Sequence, residues 1–136
     1  MVVGLLIAST GCSSSTEPVT TVWEGNLSSV AGSGITGTVG AVTQSGRTAV
    51  TIQIRKATAG ETYGWRIDSG ECSGTGQIQG GAALYPALTP DATGSASADA
   101  GLPGTFDSGG QYAARVFLTG SGAAGEVVAC GDLQPG

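Results

Sequence analysis

The stretch "TAVTIQIRK", residues 48–56, decides the fold. In an extended chain it puts Val50, Ile52 and Ile54 on one side and Thr51, Gln53 and Arg55 on the other. A period of two sustained over that length describes a strand with one buried and one wet face, the signature of an antiparallel sheet. Two more β-type runs precede it, "TTVWEGNL" (Thr20 to Leu27) and "ITGTVGAV" (Ile35 to Val42). Four follow: "ETYGWRID" (Glu61 to Asp68), "TGSASADA" (Thr93 to Ala100), "QYAARVFLT" (Gln111 to Thr119) and "EVVACGDL" (Glu126 to Leu133). Breaks rich in Gly, Ser, Asp and Pro separate them, and no segment carries a convincing helical period. The pattern predicts an all-β domain: a Greek-key antiparallel β-sandwich or flattened barrel, with residues 70–92 as the long crossover.

Composition narrows the function. With 136 residues the chain is one domain's worth, and its mean hydropathy of +0.17 is too high for a disordered segment. Five basic residues against ten acidic ones leave a net charge of -5, too few cations to meet a phosphate backbone, so no nucleic-acid partner is expected. The chain has no histidine, which removes the commonest metal ligand and the usual general base. Lys56 is the single lysine and no Gly-rich loop leads to it, so a phosphate-binding loop is excluded. Ser and Thr abound, but no base can be named to activate one.

Carboxylates are the remaining chemical resource. Asp68 and Glu71 stand close together, and Asp91, Asp99 and Asp107 are read in or beside turns. None has the clustered spacing of a calcium loop, so solvated turn carboxylates are expected and no metal, cofactor or catalytic residue is assigned. The aromatic residues Trp23, Tyr63, Trp65, Tyr85, Tyr112 and Phe117 are expected to pack in the core or on a sheet face.

The N-terminus reads as an address. "MVVGLLIA" (Met1 to Ala8) is apolar but short of the roughly 20 residues a membrane-spanning helix needs. The following Ser9-Thr10-Gly11-Cys12 resembles the lipobox of bacterial lipoproteins, although Ser9 stands where that motif usually has Leu. The resemblance implies a signal peptide over 1–11, a lipid-bearing Cys12 with a polar tether over 12–18, and a folded domain over 19–136. It implies export and a lipid anchor in the bacterial cell envelope. No Lys or Arg precedes the apolar run, so the translation start is expected upstream of Met1. With Cys12 assigned to lipid, Cys72 and Cys130 remain to pair as a disulfide in an oxidising compartment; the alternative is two buried free thiols.

Three segments carry a second resemblance: "GWRIDSGEC" (Gly64 to Cys72), "GGAALYPAL" (Gly80 to Leu88) and "GAAGEVVACGDL" (Gly122 to Leu133). In that order they resemble landmarks of the copper-zinc superoxide dismutases. There a strand of the form G-[FW]-H-[IV]-H supplies copper ligands, a Gly-Gly-His segment leads to a proline, and a closing cysteine bonds an earlier one. The matching positions are Gly64, Trp65, Ile67, Gly70 and Cys72, then Gly80, Gly81 and Pro86, then Gly122, Gly125, Ala129, Cys130 and Gly131. Arg66 and Asp68 stand at the two copper-ligand positions, and Ala82 or Ala83 at the bridging one. An Arg66–Asp68 contact on one strand face is expected, as an exposed pair of about 1 kcal/mol at most. The resemblance thus implies a superoxide-dismutase-like frame that kept its fold and disulfide and lost its metal. The function expected is a non-enzymatic binding or structural module, with an envelope protein or ligand as partner. The rival is a metalloenzyme using non-histidine ligands or a partner chain's ligands. A looser resemblance is to chordin-type domains.

Overall fold

The computed structural model describes residues 20–74, 76–119 and 126–136. The Cys12 and signal-peptide expectations lie outside them. Seven strands run β1 (Thr21–Ser29), β2 (Thr36–Gln44), β3 (Arg47–Arg55), β4 (Tyr63–Ser69), β5 (Ala96–Pro103), β6 (Tyr112–Leu118) and β7 (Val127–Pro135). Each overlaps one of the seven runs read from the sequence, with ends shifted by up to three residues, and a 3-10 turn at Ala82–Leu84 interrupts the crossover. In β3 the alternation is complete: every residue from Thr48 to Ile54 at even positions is buried, and every odd one from Arg47 to Arg55 is exposed.

The strands form one antiparallel sheet in the order β4-β6-β7-β1-β2-β3-β5, which curls into a flattened half-barrel. Strands β1, β2 and β3 follow one another as hairpins, and β7 returns from the end of the chain to lie beside β1. That is the Greek-key placement. The β2–β3 hairpin turns on Ser45 and Gly46, with φ of 55° and 79° and Gln44 paired to Arg47. Two consecutive left-handed residues give the tight turn whose twist matches that of the strands.

Inside the curl, Trp23, Val39, Ile52, Trp65, Leu102 and Val116 belong to one buried cluster to which all seven strands contribute. Trp23 lies edge-on to Phe106 and Tyr112, with ring centroids 5.7 and 5.3 Å away. Of the six aromatics expected in the core or on a sheet face, five are buried. Phe117 is half-buried on the outer sheet face.

The crossover between β4 and β5 wraps the outer edge of β4. Isolated bridges join Tyr63 to Leu88 and Asp68 to Ile78, and Ser69 N–H donates to the Gln77 carbonyl at 2.9 Å. At its far end Asp91 accepts from Thr93 and Ser95, an Asx-type turn that holds its carboxyl below the usual range, the Thr93 hydroxyl contributing most. The wrap changes the burial of the strands beneath it. From Tyr112 to Val116, β6 is buried on both faces.

Candidate functional site

Residues 64, 66 and 68 share the outer face of β4, and the register sets each opposite a residue of β6: Gly64 to Phe117, Arg66 to Arg115, Asp68 to Ala113. One strand further on, Arg115 lies opposite Cys130 of β7. The outer row therefore reads Arg66, Arg115, Cys130. Two guanidinium groups directly across from each other would repel, so this row needs a counter-charge. Asp68, two residues along from Arg66, supplies it.

Arg66 Nε lies 3.0 Å from Asp68 Oδ1 and donates to Oδ2 at 3.2 Å, while Arg115 Nε lies 3.4 Å from Oδ2. Asp68 is 1 % exposed and Arg115 7 %, whereas the Arg66 side chain is 40 % exposed. One Nη of Arg115 also donates to the Glu71 carbonyl at 3.0 Å and to the Gly74 carbonyl at 2.7 Å. Arg115 is thus the pin that holds the start of the crossover down on β6. The Cys72 and Cys130 sulfurs stand at bonding distance, 2.06 Å, and tie the same segment to β7. Cys72 N–H donates to the Asp132 carboxylate at 2.7 Å, a third fastening at the same place.

This cover leaves a cavity of about 390 Å³ among Arg66, Asp68, Arg115, Gly74, Val127 and the disulfide. A second hollow of about 290 Å³ lies beside it, lined by Phe117, Tyr85, Ile78, Ala82 and the same Arg66. The Phe117 ring lies across Gly64, where a Cβ would sit 2.6 Å from the ring edge. The Arg66 guanidinium stands 5.6 Å from the centre of that ring, within the range of a cation–π contact. Tyr85 packs edge-on to Trp65 at 4.9 Å, and its hydroxyl donates to the Gln79 carbonyl. Burial above all pushes the Tyr85 phenol up to about 12, with the Asp68 charge adding in the same direction.

The sequence expectation for this face needs two corrections. Asp68 is not a solvated turn carboxylate: it is a buried strand residue shared between two arginines. The Arg66–Asp68 contact forms, but it is not an exposed pair, because the crossover and Arg115 enclose the carboxylate. Arg115 itself went unrecognised, although a charge inside the apolar run "YAARVFL" was a visible signal. The other carboxylates disperse. Glu71, Asp91 and Asp107 are exposed in the loops, and Asp99 is a mid-strand residue of β5 that accepts from the Thr51 hydroxyl at 2.9 Å.

A copper ion does not fit this group. Guanidinium offers only donors and stays charged, so Arg66 and Arg115 repel a cation and ligate none. Among the described residues no three His, Cys, Asp or Glu side chains stand close enough together to hold a metal. The chain matches no protein-family model. Nor does it match a curated protein.

Proposed function

We propose that this chain is a bacterial envelope lipoprotein, anchored through Cys12, whose domain is a superoxide-dismutase-like frame serving as a non-enzymatic binding or structural module. The observation that carries the reading is the Asp68 carboxylate shared between Arg66 and Arg115. At the two strand positions where the resembling family places copper ligands, this chain places a donor, Arg66, and a carboxylate, Asp68, which faces both Arg66 and Arg115. Reaction chemistry needs an acid–base or ligand group with a free lone pair and access to substrate. Asp68 is 1 % exposed and lacks that access, although its Oδ1 accepts no hydrogen bond, and Arg66 and Arg115 have no lone pair to offer. The cavity beside them is instead a place for recognition.

Two experiments test the reading. Superoxide dismutation by the full chain, incubated with copper and zinc and freed of excess ions, is expected at the level of the buffer alone. Activity proportional to protein would overturn the assignment as a module. For the anchor, membrane association with radiolabelled palmitate incorporated in a bacterial host is expected, and Cys12→Ser is expected to abolish the label. Labelling that survives the substitution would remove Cys12 as the lipid site.

A further inference from the structure

We propose that the paired hollows around Arg66 bind a small organic carboxylate. Its carboxylate group is held by the outer edge of the Arg66 guanidinium, and its apolar body lies against Phe117 and Tyr85. The inference rests on reading the domain as a binding module and names the ligand class of that same site.

Charge comes first. Among the described residues, two guanidiniums and one carboxylate are the ionised side chains that line the two hollows, one excess positive charge on a molecule of net charge -5. Arg115 places its Nε 3.4 Å from Asp68, spends one Nη on the Glu71 and Gly74 carbonyls, and is 7 % exposed, so it is the less accessible of the two guanidiniums. Arg66 spends only Nε, on Asp68; no described residue accepts from its two terminal nitrogens. Those nitrogens form a planar fork that matches the two oxygens of a carboxylate.

Orientation comes second. Arg66 is held at its Nε by Asp68 and stands over the Phe117 ring at 5.6 Å, so the fork is positioned before any ligand arrives. A pre-positioned donor pair loses less side-chain freedom on binding than a free one. Asp68 acts here as a positioning residue, since its own oxygens are turned to the arginines.

Shape comes third. Arg66 lines both hollows, and both linings are mostly apolar; Asp68 and Arg115 line only the first. An inorganic anion would use only the Arg66 fork. A carboxylate on an aryl or short acyl body also buries apolar surface against Phe117 while its head meets Arg66.

Sodium benzoate is the direct probe, titrated calorimetrically into the full chain in neutral detergent, with intrinsic fluorescence as a second reading because Trp65 and Tyr85 line the apolar hollow. Saturable binding is expected, at least tenfold tighter than that of the neutral benzamide. Inorganic phosphate at equal concentration should leave it unchanged. Arg66→Gln should weaken benzoate at least tenfold, and Arg66→Lys should fall between. Equal binding of benzoate and benzamide, displacement by equimolar phosphate, or no saturation would each overturn the proposal. Should Arg66→Gln fail to fold by circular dichroism, the benzoate–benzamide comparison on the unaltered chain still decides. A chain that retains copper or zinc sinks the module reading itself, whereas a metal-free chain that ignores benzoate sinks only this inference.

Discussion

Asp68 is worth more to this fold than any other ionised side chain of the site. It is buried, and both of its charged neighbours lie within 3.4 Å. Removing one partner of a buried ion pair leaves the other charged and desolvated, which costs about 3–5 kcal/mol. Asp68→Ala should therefore lower stability by about 3 kcal/mol in urea unfolding, because Arg115 would keep its charge under the crossover with no carboxylate to meet it. Arg66→Gln removes the outer, 40 % exposed partner and leaves Arg115 beside Asp68, so it should cost less, about 1 kcal/mol. Equal losses for the two would show that the carboxylate is not shared as described. The Arg66–Asp68 contact was legible in the sequence, since two residues two apart on a strand share a face. Burial of Asp68 was not, because the segment that covers it is held down by Arg115, 47 positions further along than Asp68 (115 − 68).

At the level of elements, the strands were readable because each carries its own period or its own punctuation. Strand β3 shows both, with strict alternation and the Ser45-Gly46 turn before it. Less readable was the closeness of β1 and β7. Between the paired residues Glu24–Gln134 and Ser28–Cys130 the two backbones press together: a Cβ on Gly131 would stand 2.4 Å from the Asn26 carbonyl oxygen, and one on Gly25 would stand 2.5 Å from the Asp132 carbonyl oxygen. Backbone atoms cannot rotate aside as a side-chain end can. Gly131→Ala should therefore destabilise by about 1–3 kcal/mol, whereas Gly101→Ala in β5, where a Cβ would meet nothing within 4 Å, should stay within about 0.5 kcal/mol. Matching thermal shifts for the two variants would contradict the close approach. A lone glycine in a strand signals such contacts only ambiguously, since Gly101 and Gly131 look alike in sequence.

Over the whole molecule, the crossover is fastened to the sheet at two places by different means. At one end the Cys72–Cys130 bond spans 58 residues, and in the chain-entropy account a loop of that length stabilises by about 4 kcal/mol. Cys130→Ser should lower the melting temperature by many degrees, and an unchanged transition would remove the bond from the account. At the other end Tyr85 and Leu88 lie buried against β4. The Tyr85 phenol is raised from 10.0 to about 12 in the folded chain, so the unfolded chain loses this proton first. Its contribution is complete below pH 10 and is lost as the pH climbs towards 12, a decline of roughly 2 kcal/mol that Tyr85→Phe should flatten. Denaturant midpoints taken across that range would show it.

On the outer face of β4 and β6, two arginines and one aspartate are paired with one another, an arrangement that offers no place to a cation. The most direct measurement is elemental mass spectrometry of the full chain, purified without chelator, loaded with copper and zinc, and freed of unbound ions. Close to no metal per chain is expected, with Arg66, Asp68 and Arg115 held on one another. About one equivalent of copper or zinc, lost in Asp68→Ala, would show a rebuilt metal centre and contradict it.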